Sequence, residues 1–168
     1  SGGLLVKAWR ASDTEINGWE AQLDYYYTWQ EGSMLELSSF FDLVKNRNTS
    51  GDEMRQWAEG DFMPNLPTSR YGISAGAQHG RWMFNASLDR YLKQRFLGKN
   101  INLERPMPAY TMVRARVGHR FKILNRALLT YVDCNNLLNV EARPQNSPLK
   151  DLAPLPGRNI SLGLRMEI

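Results

Sequence analysis

The last ten residues, Asn159 to Ile168, alternate without a break: Ile160, Leu162, Leu164, Met166 and Ile168 fall on one face and Asn159, Ser161, Gly163, Arg165 and Glu167 on the other. A pleated strand separates alternate positions in this way, and helical periodicity cannot. Because the sequence ends on an apolar residue of that strand, the terminus is expected to be an integral strand, as in a barrel built up to its final residue.

Alternation and turn chemistry together predict eight strands. The first is short, Leu4 to Arg10. The second, Ile16 to Trp29, sets Trp19, Ala21, Leu23, Tyr25, Tyr27 and Trp29 against Gly18, Glu20, Gln22, Asp24, Tyr26 and Thr28. At about 3.3 Å per residue and a tilt near 40°, Trp19 and Trp29 stand roughly 25 Å apart along a barrel axis, the height of an apolar band with an aromatic girdle at each edge. The third strand, Ser33 to Asn46, is less regular, since Phe40 and Val44 blur its polar face. The fourth, Ser69 to Gln78, and the fifth, Arg81 to Asp89, alternate cleanly, with Trp82 a further interface aromatic. In the sixth, Tyr110 to Ile123, Val113, Ala115, Val117, Phe121 and Ile123 oppose Arg114, Arg116, Arg120 and Lys122. Four cations on one face need water or acidic partners, so that face is expected to line a lumen. The seventh, Arg126 to Leu138, is apolar on both faces near its start, which leaves its orientation open, and the eighth is Asn159 to Ile168.

The connections alternate in length. Short turns are expected at Gln30 to Ser33, around His79-Gly80 and at Leu124-Asn125, and long polar connections at Arg47 to Pro67, Leu97 to Pro108 and Asn139 to Pro156. A meander places all the short turns at one end and all the long loops at the other, the asymmetry of outer-membrane barrels. The short Ala11 to Thr14 link is the exception. The fold expected is therefore all-β, an antiparallel transmembrane β-barrel of about eight meander strands occupying residues 1–168 as one domain, located in the bacterial outer membrane.

Composition is compatible with this. Mean hydropathy is −0.49, and no stretch approaches the roughly 18 consecutive apolar residues of a membrane-spanning helix, but alternating strands average to a polar value while keeping one apolar wall. Cys134 is the single cysteine and permits no internal disulfide. The opening Ser1-Gly2-Gly3, with no initiator Met or signal core, suggests a mature or partial form. Net charge is +4 with pI near 9.3, but Lys and Arg are scattered, with no basic run and no nucleic-acid-binding motif, so nucleic acid is not expected as a partner.

The segments Asn136-Leu-Leu-Asn-Val-Glu-Ala-Arg143 and Ser147-Pro-Leu-Lys-Asp-Leu-Ala-Pro-Leu-Pro-Gly-Arg-Asn159 resemble the C-terminal end of TonB-dependent outer-membrane receptors, and similarity extends to Gly18 through Asp24 and Leu66 through Gly72. Members of that family have a 22-stranded barrel with an N-terminal plug and import siderophores, haem, metal chelates or vitamin B12 with energy delivered through TonB. The Leu-Lys-Asp and Pro-Gly-Arg wording looks most like receptors of the zinc and haem type. A complete receptor needs several hundred residues, and this sequence contains neither a plug nor a TonB box, so the resemblance implies the last third of a barrel. The partners implied are the lipid bilayer and lipopolysaccharide, the barrel-assembly machinery, and remaining strands and a plug on the same or another chain, with TonB reached only through that plug. The resemblance also implies a C-terminal assembly signal, which Ser161, Gly163, Met166 and Ile168 fit in spacing, although Ile168 stands where Phe is usual.

Candidate chemistry is sparse. Asp52, Glu53, Glu59 and Asp61 in the first long loop could offer oxygen ligands to a hard cation, but their spacing matches no known loop geometry and a solvated loop is the better reading. His79 and His119 lack neighbours at ligand spacing and read as interfacial or wall histidines. Gly72, Gly76 and Gly80 read as small inward residues. Asp133-Cys-Asn-Asn136 has no base for a nucleophilic thiol. The sequons at Asn48, Asn85 and Asn159 fit the glycosylation pattern by chance. No cofactor and no catalytic constellation is expected. The cationic face of the sixth strand either binds an acidic plug or anionic chelate, or pairs with inward carboxylates such as Glu167, Asp24 and Glu36. Three readings follow: the C-terminal barrel wall of a TonB-dependent receptor, a stand-alone eight-stranded barrel with a structural or anchoring role, and a lipocalin-like soluble binder with the same alternation turned inside out.

Overall fold

A computed structural model describes residues 13–49, 62–63, 65–97, 104–123 and 126–166. Among them are seven strands: β1 (Thr14–Gln30), β2 (Ser33–Asn48), β3 (Arg70–His79), β4 (Trp82–Tyr91), β5 (Tyr110–Ile123), β6 (Arg126–Asn135) and β7 (Asn159–Met166). They form one antiparallel meander in which order across the sheet is order along the chain. Within the described residues β1 and β7 are opposite edges that do not pair, so the sheet is open and does not close into the expected barrel. The strand expected at Leu4 to Arg10 lies outside the described residues, as do the Leu124-Asn125 turn and the last two positions of the C-terminal strand, Glu167 and Ile168.

Register turns the alternation of each strand into two continuous faces. One row runs Tyr25, Leu37, Ala75, Ala86, Ala115, Cys134 and Ile160, and the next Tyr27, Leu35, Ala77, Phe84, Val117, Val132 and Leu162. The interleaved rows are polar, as in Tyr26, Glu36, Gly76, Asn85, Arg116, Asp133 and Ser161. The seventh expected strand, ambiguous by itself, is oriented by this register: Leu128, Thr130, Val132 and Cys134 join the apolar face, and Tyr131, Asp133 and Asn135 the polar one. It ends at Asn135 and not Leu138, because Asn136 takes a φ of 51° that breaks the extended run.

Among the described residues nothing covers the apolar face. Trp19 is 74% exposed, Leu23 72%, Ile73 60% and Leu162 76%, and the buried hydrophobic side chains among the described residues are only Met107, Tyr110, Cys134 and Ala142. The polar face is the more enclosed one: Asp89 is buried, and two of its glycines admit their neighbours closely. At Gly72 a Cβ would lie 2.5 Å from the Phe40 ring and 2.8 Å from the Leu88 carbonyl oxygen, and at Gly163 it would collide with the Tyr131 ring at Cζ. Phe40, which blurred the polar face of its strand, thus fills the space Gly72 leaves and lies 5.2 Å beneath the Arg70 guanidinium.

Aromatic rings line the short-turn end. Tyr27, Trp29 and His79 stack in series, and Phe84, Trp82, His119 and Phe121 form a second chain with centroids 4.3 to 6.1 Å apart. Trp82 stands between the two histidines, and the His79 ring is also held at Nδ1 by Ser33 Oγ, 2.9 Å away. Trp19, near the other end of β1, completes the band. Gly80 lies in the β3–β4 turn, where a short turn at His79-Gly80 was expected, with a φ of 56° and its N–H donated to the Gly32 carbonyl of the β1–β2 turn, so it is not one of the small glycines within the strands.

The two close glycines respond differently to a methyl group. Gly72→Ala meets backbone as well as a ring and is expected to lower stability by about 1–3 kcal/mol. Gly163→Ala meets only the far end of Tyr131, which can swing aside, so its urea midpoint should fall less; equal losses would contradict this packing.

Candidate functional site

The polar face meets the long loops at one row, where Pro67, Pro144 and Gln145 line a groove together with residues of the sheet. The charges of this wall are neutralised mainly between adjacent strands. Arg116 Nε donates to Asp133 Oδ1 directly across β5 and β6 at 3.1 Å, Arg70 Nε to Asp42 Oδ2 at 2.7 Å, and Arg114 Nη2 to Asp89 on the diagonal. The Arg116 guanidinium also lies 4.8 Å from the Tyr131 ring centroid. Two of the four cations expected to face a lumen are therefore paired, but by Asp133 and Asp89 and not by Asp24 or Glu36. Asp24 accepts instead from Ser38 Oγ at 2.5 Å and Gln22 Nε2 at 2.8 Å, and Glu36 sits opposite Tyr26. Pairing with carboxylates of the same face is thus found at Arg114 and Arg116, but with those on adjacent strands, because Asp24 and Glu36 stand three or more strands away from β5. Arg120 and Lys122 lie further toward the short-turn end and form no salt bridge among the described residues. Glu167 and the loop acids Asp52, Glu53, Glu59 and Asp61 lie outside the described residues.

Of the expected assembly residues, Ser161 and Gly163 lie on the polar face and Met166 on the apolar one, with Ile168 outside the described residues. Gly163 has a local reason to be glycine, since Tyr131, itself beneath Arg116, occupies the space where its side chain would stand.

Toward the long loops, one row places Glu20, Asp42, Arg70, Tyr91 and Tyr110 side by side. The two tyrosine rings stack at 4.6 Å with 17° between planes. Together with Pro67, Pro144 and Gln145 this row bounds a groove of about 490 Å³, and a second of about 430 Å³ lies lower on the wall between Glu36, Asn85, Arg114, Arg116 and Asp133. Glu20 has the Asp42 carboxylate opposite it and no ion-pair partner among the described residues. The upper groove therefore presents an aromatic wall and an unneutralised carboxylate, which suit a ligand with a planar part and positive charge.

The loops over this groove, read from sequence as long polar connections, share a buried polar hub. Glu104 Oε1 accepts from Lys150 Nζ at 2.5 Å, Gln145 Nε2 at 2.8 Å and Asn65 N at 3.0 Å, joining all three long connections. Lys150 also donates to Asn65 Oδ1 and the Gln145 carbonyl, and Gln145 Oε1 accepts from Met107 N. Gln94 Nε2 anchors the first connection through the Leu66 and Pro67 carbonyls, and Asn136 clasps the last through Val140 and the Pro156 carbonyl. Side-chain exposure is 9% for Lys150 and 3% for Glu104, so the pair is desolvated. Burial alone would raise the Glu104 carboxyl, but the hydrogen bonds from Lys150, Gln145 and Asn65 together outweigh it and hold the group below its ordinary 4.5. No local periodicity announces these residues; the only sequence signal was the prolines framing each loop.

Lys150→Met leaves a buried carboxylate with amide donors alone and is expected to loosen the loops by about 3–5 kcal/mol, read as lost hydrogen-exchange protection at Met107 N–H. Because the folded value is depressed, the network is complete above 4.5 and fails only as pH falls below it. Loss of protection already between about pH 5 and 7 would contradict that assignment. No protein-family model matches the chain, and none of the curated proteins matches it significantly.

Proposed function

We propose that this chain is part of the barrel wall of a bacterial outer-membrane transporter, the C-terminal portion of a TonB-dependent receptor that imports a metal chelate, haem or a similar nutrient. The observation that carries the reading is the segregation of the two faces: a broad apolar face bare of protein, beside a polar face with paired charges. A lipid bilayer is the solvent that suits the first, and a water-filled lumen or a plug suits the second. A lipocalin-like binder would have the apolar face enclosed and the polar face in water, the opposite of the exposures found here.

Among the described residues β1 has no neighbour on its outer side, and in a membrane such an edge must be paired. Further strands from the same or another polypeptide would satisfy that edge, along with a plug through which TonB acts. In this account the locked loops and the groove beneath them capture substrate, displacement of the plug releases it, and this chain supplies wall and capture surface. Lipopolysaccharide and the barrel-assembly machinery are the remaining partners.

Purification from outer membranes in mild detergent, with mass spectrometry of every co-purifying polypeptide, tests the proposal. An assembly that contains a plug-bearing chain is the expected result. A monomer near 19.3 kDa that migrates faster unheated than boiled would contradict it and establish an independent small barrel.

A further inference from the structure

The polar face is divided by charge. Among the described residues, β1 to β3 place the carboxylates Glu20, Asp24, Glu36 and Asp42 on it against one cation, Arg70, whereas β5 places Arg114, Arg116, Arg120 and Lys122. The upper groove opens on the acidic half. Arg70 is already committed there, since its Nε donates to Asp42 Oδ2 at 2.7 Å and its guanidinium lies 5.2 Å from the Phe40 ring centroid. Glu20 is exposed and unpaired, and it faces both this groove and an adjoining one of about 370 Å³ lined by Gln22 and Phe40. At the far wall Tyr110 is buried beneath Tyr91, which leaves Tyr91, half-buried, as the accessible ring of the stacked pair. From Glu20 on β1 to Tyr91 on β4 the row crosses three strand spacings of about 4.8 Å, roughly 14 Å in all. The rim is rigid, because Gln145 is held by Glu104 Oε1, the Arg105 carbonyl and Met107 N.

We infer that the upper groove binds an elongated cationic ligand with a flat conjugated end, its ring against Tyr91 and its positive centre at Glu20. The inference rests on the transporter reading and narrows the nutrient which that reading allows to one of positive charge. An anionic porphyrin or a carboxylate chelate would set negative charge beside Glu20 and Asp42, in the half of the wall where acids outnumber cations, and is disfavoured. A bare metal ion fits less well: a hard cation takes about six to eight oxygen ligands, and among the described residues no three His, Cys, Asp or Glu side chains converge. The aromatic end has its own selectivity, because a tyrosine face attracts both conjugated rings and the charge they carry. Size agrees as well, since the groove of about 490 Å³ falls within the roughly 300–1,000 Å³ of small-ligand sites. The loop hub sets the rim before a ligand arrives, so little ordering is lost on binding.

The test is equilibrium dialysis of the full chain, with any co-purifying strands, in lipid nanodiscs, with empty nanodiscs as the reference. Two probes are compared: a naphthyl ring joined by a pentyl chain to trimethylammonium, and the same molecule ending in a carboxylate. The chain should retain the ammonium probe about tenfold better, and Glu20→Gln should remove most of that preference. Tyr91→Leu should weaken retention of the ammonium probe about fivefold and Tyr91→Phe should restore it. Glu36→Gln, on the same acidic half but outside the groove, should change it by less than about twofold. Equal retention of the two probes, a preference that survives Glu20→Gln, a loss as large with Glu36→Gln as with Glu20→Gln, or complete displacement of the ammonium probe by equimolar calcium would each overturn the site. Those results leave the outer-membrane reading standing, whereas preferential binding of the ammonium probe by a chain that stays in water and never enters nanodiscs would keep the groove and overturn that reading.

Discussion

The hydrogen-bonded register between neighbouring strands is the constraint on which the other features depend. Because side chains alternate with every residue, a slip of one position between β4 and β5 would carry Arg114 and Arg116 to the face of Phe84 and Val117. In hydrocarbon that exchange is prohibitive: one Arg or Lys at the midplane of a barrel wall costs about 2–4 kcal/mol. The same register sets Asp133 opposite Arg116 and Asp42 opposite Arg70, so that the alignment which keeps charge off the apolar face also neutralises it on the polar one. Glycines mark where the alignment is tightest, with Gly72 accommodating Phe40 and Gly163 accommodating Tyr131.

The two ends of the sheet are stabilised by different chemistry. At the short-turn end, stacked rings from β1 to β5 combine apolar bodies with polar edges, as suits a membrane boundary. At the long-loop end, Glu104, Lys150, Gln145 and Asn65 form a desolvated polar hub that ties together connections far apart in sequence. A hub of this kind is worth having where loops must hold a shape over a groove, since removal of any member leaves another buried and unsatisfied. Groove, wall and hub thus form one unit, with the charge of Glu20 left open beneath it.

The strands were legible because their signal is local. In β5 four cations against five apolar residues define both faces and both ends, and the structure places that strand at the expected Tyr110–Ile123. In β6, Ala127, Leu128 and Leu129 are compatible with either face, and only pairing with β5 decides between them. The alternating loop lengths and the grouping of the arginines on one polar face were also readable, but their partners were not, since Asp89 and Asp133 are chosen by register across strands. The loop hub was out of reach for the same reason: Glu104 and Lys150 are separated by 46 residues, and nothing in either neighbourhood shows that the other is near. Asn136 and Asn139, noticed as wording within a longer resemblance, proved to be the two positions where the last loop takes a positive φ.

The central claim, that the apolar face meets lipid and the polar face meets water, is tested most directly by cysteine labelling in intact outer membranes. With Cys134 replaced by alanine, single cysteines at Asn85 and Ser161 on the polar face and at Phe84 and Leu162 on the apolar face would be exposed to a water-soluble maleimide. The account predicts reaction at Asn85 and Ser161, with Phe84 and Leu162 protected until detergent is added. Labelling of Phe84 and Leu162 in the intact membrane, with Asn85 and Ser161 protected, would contradict it.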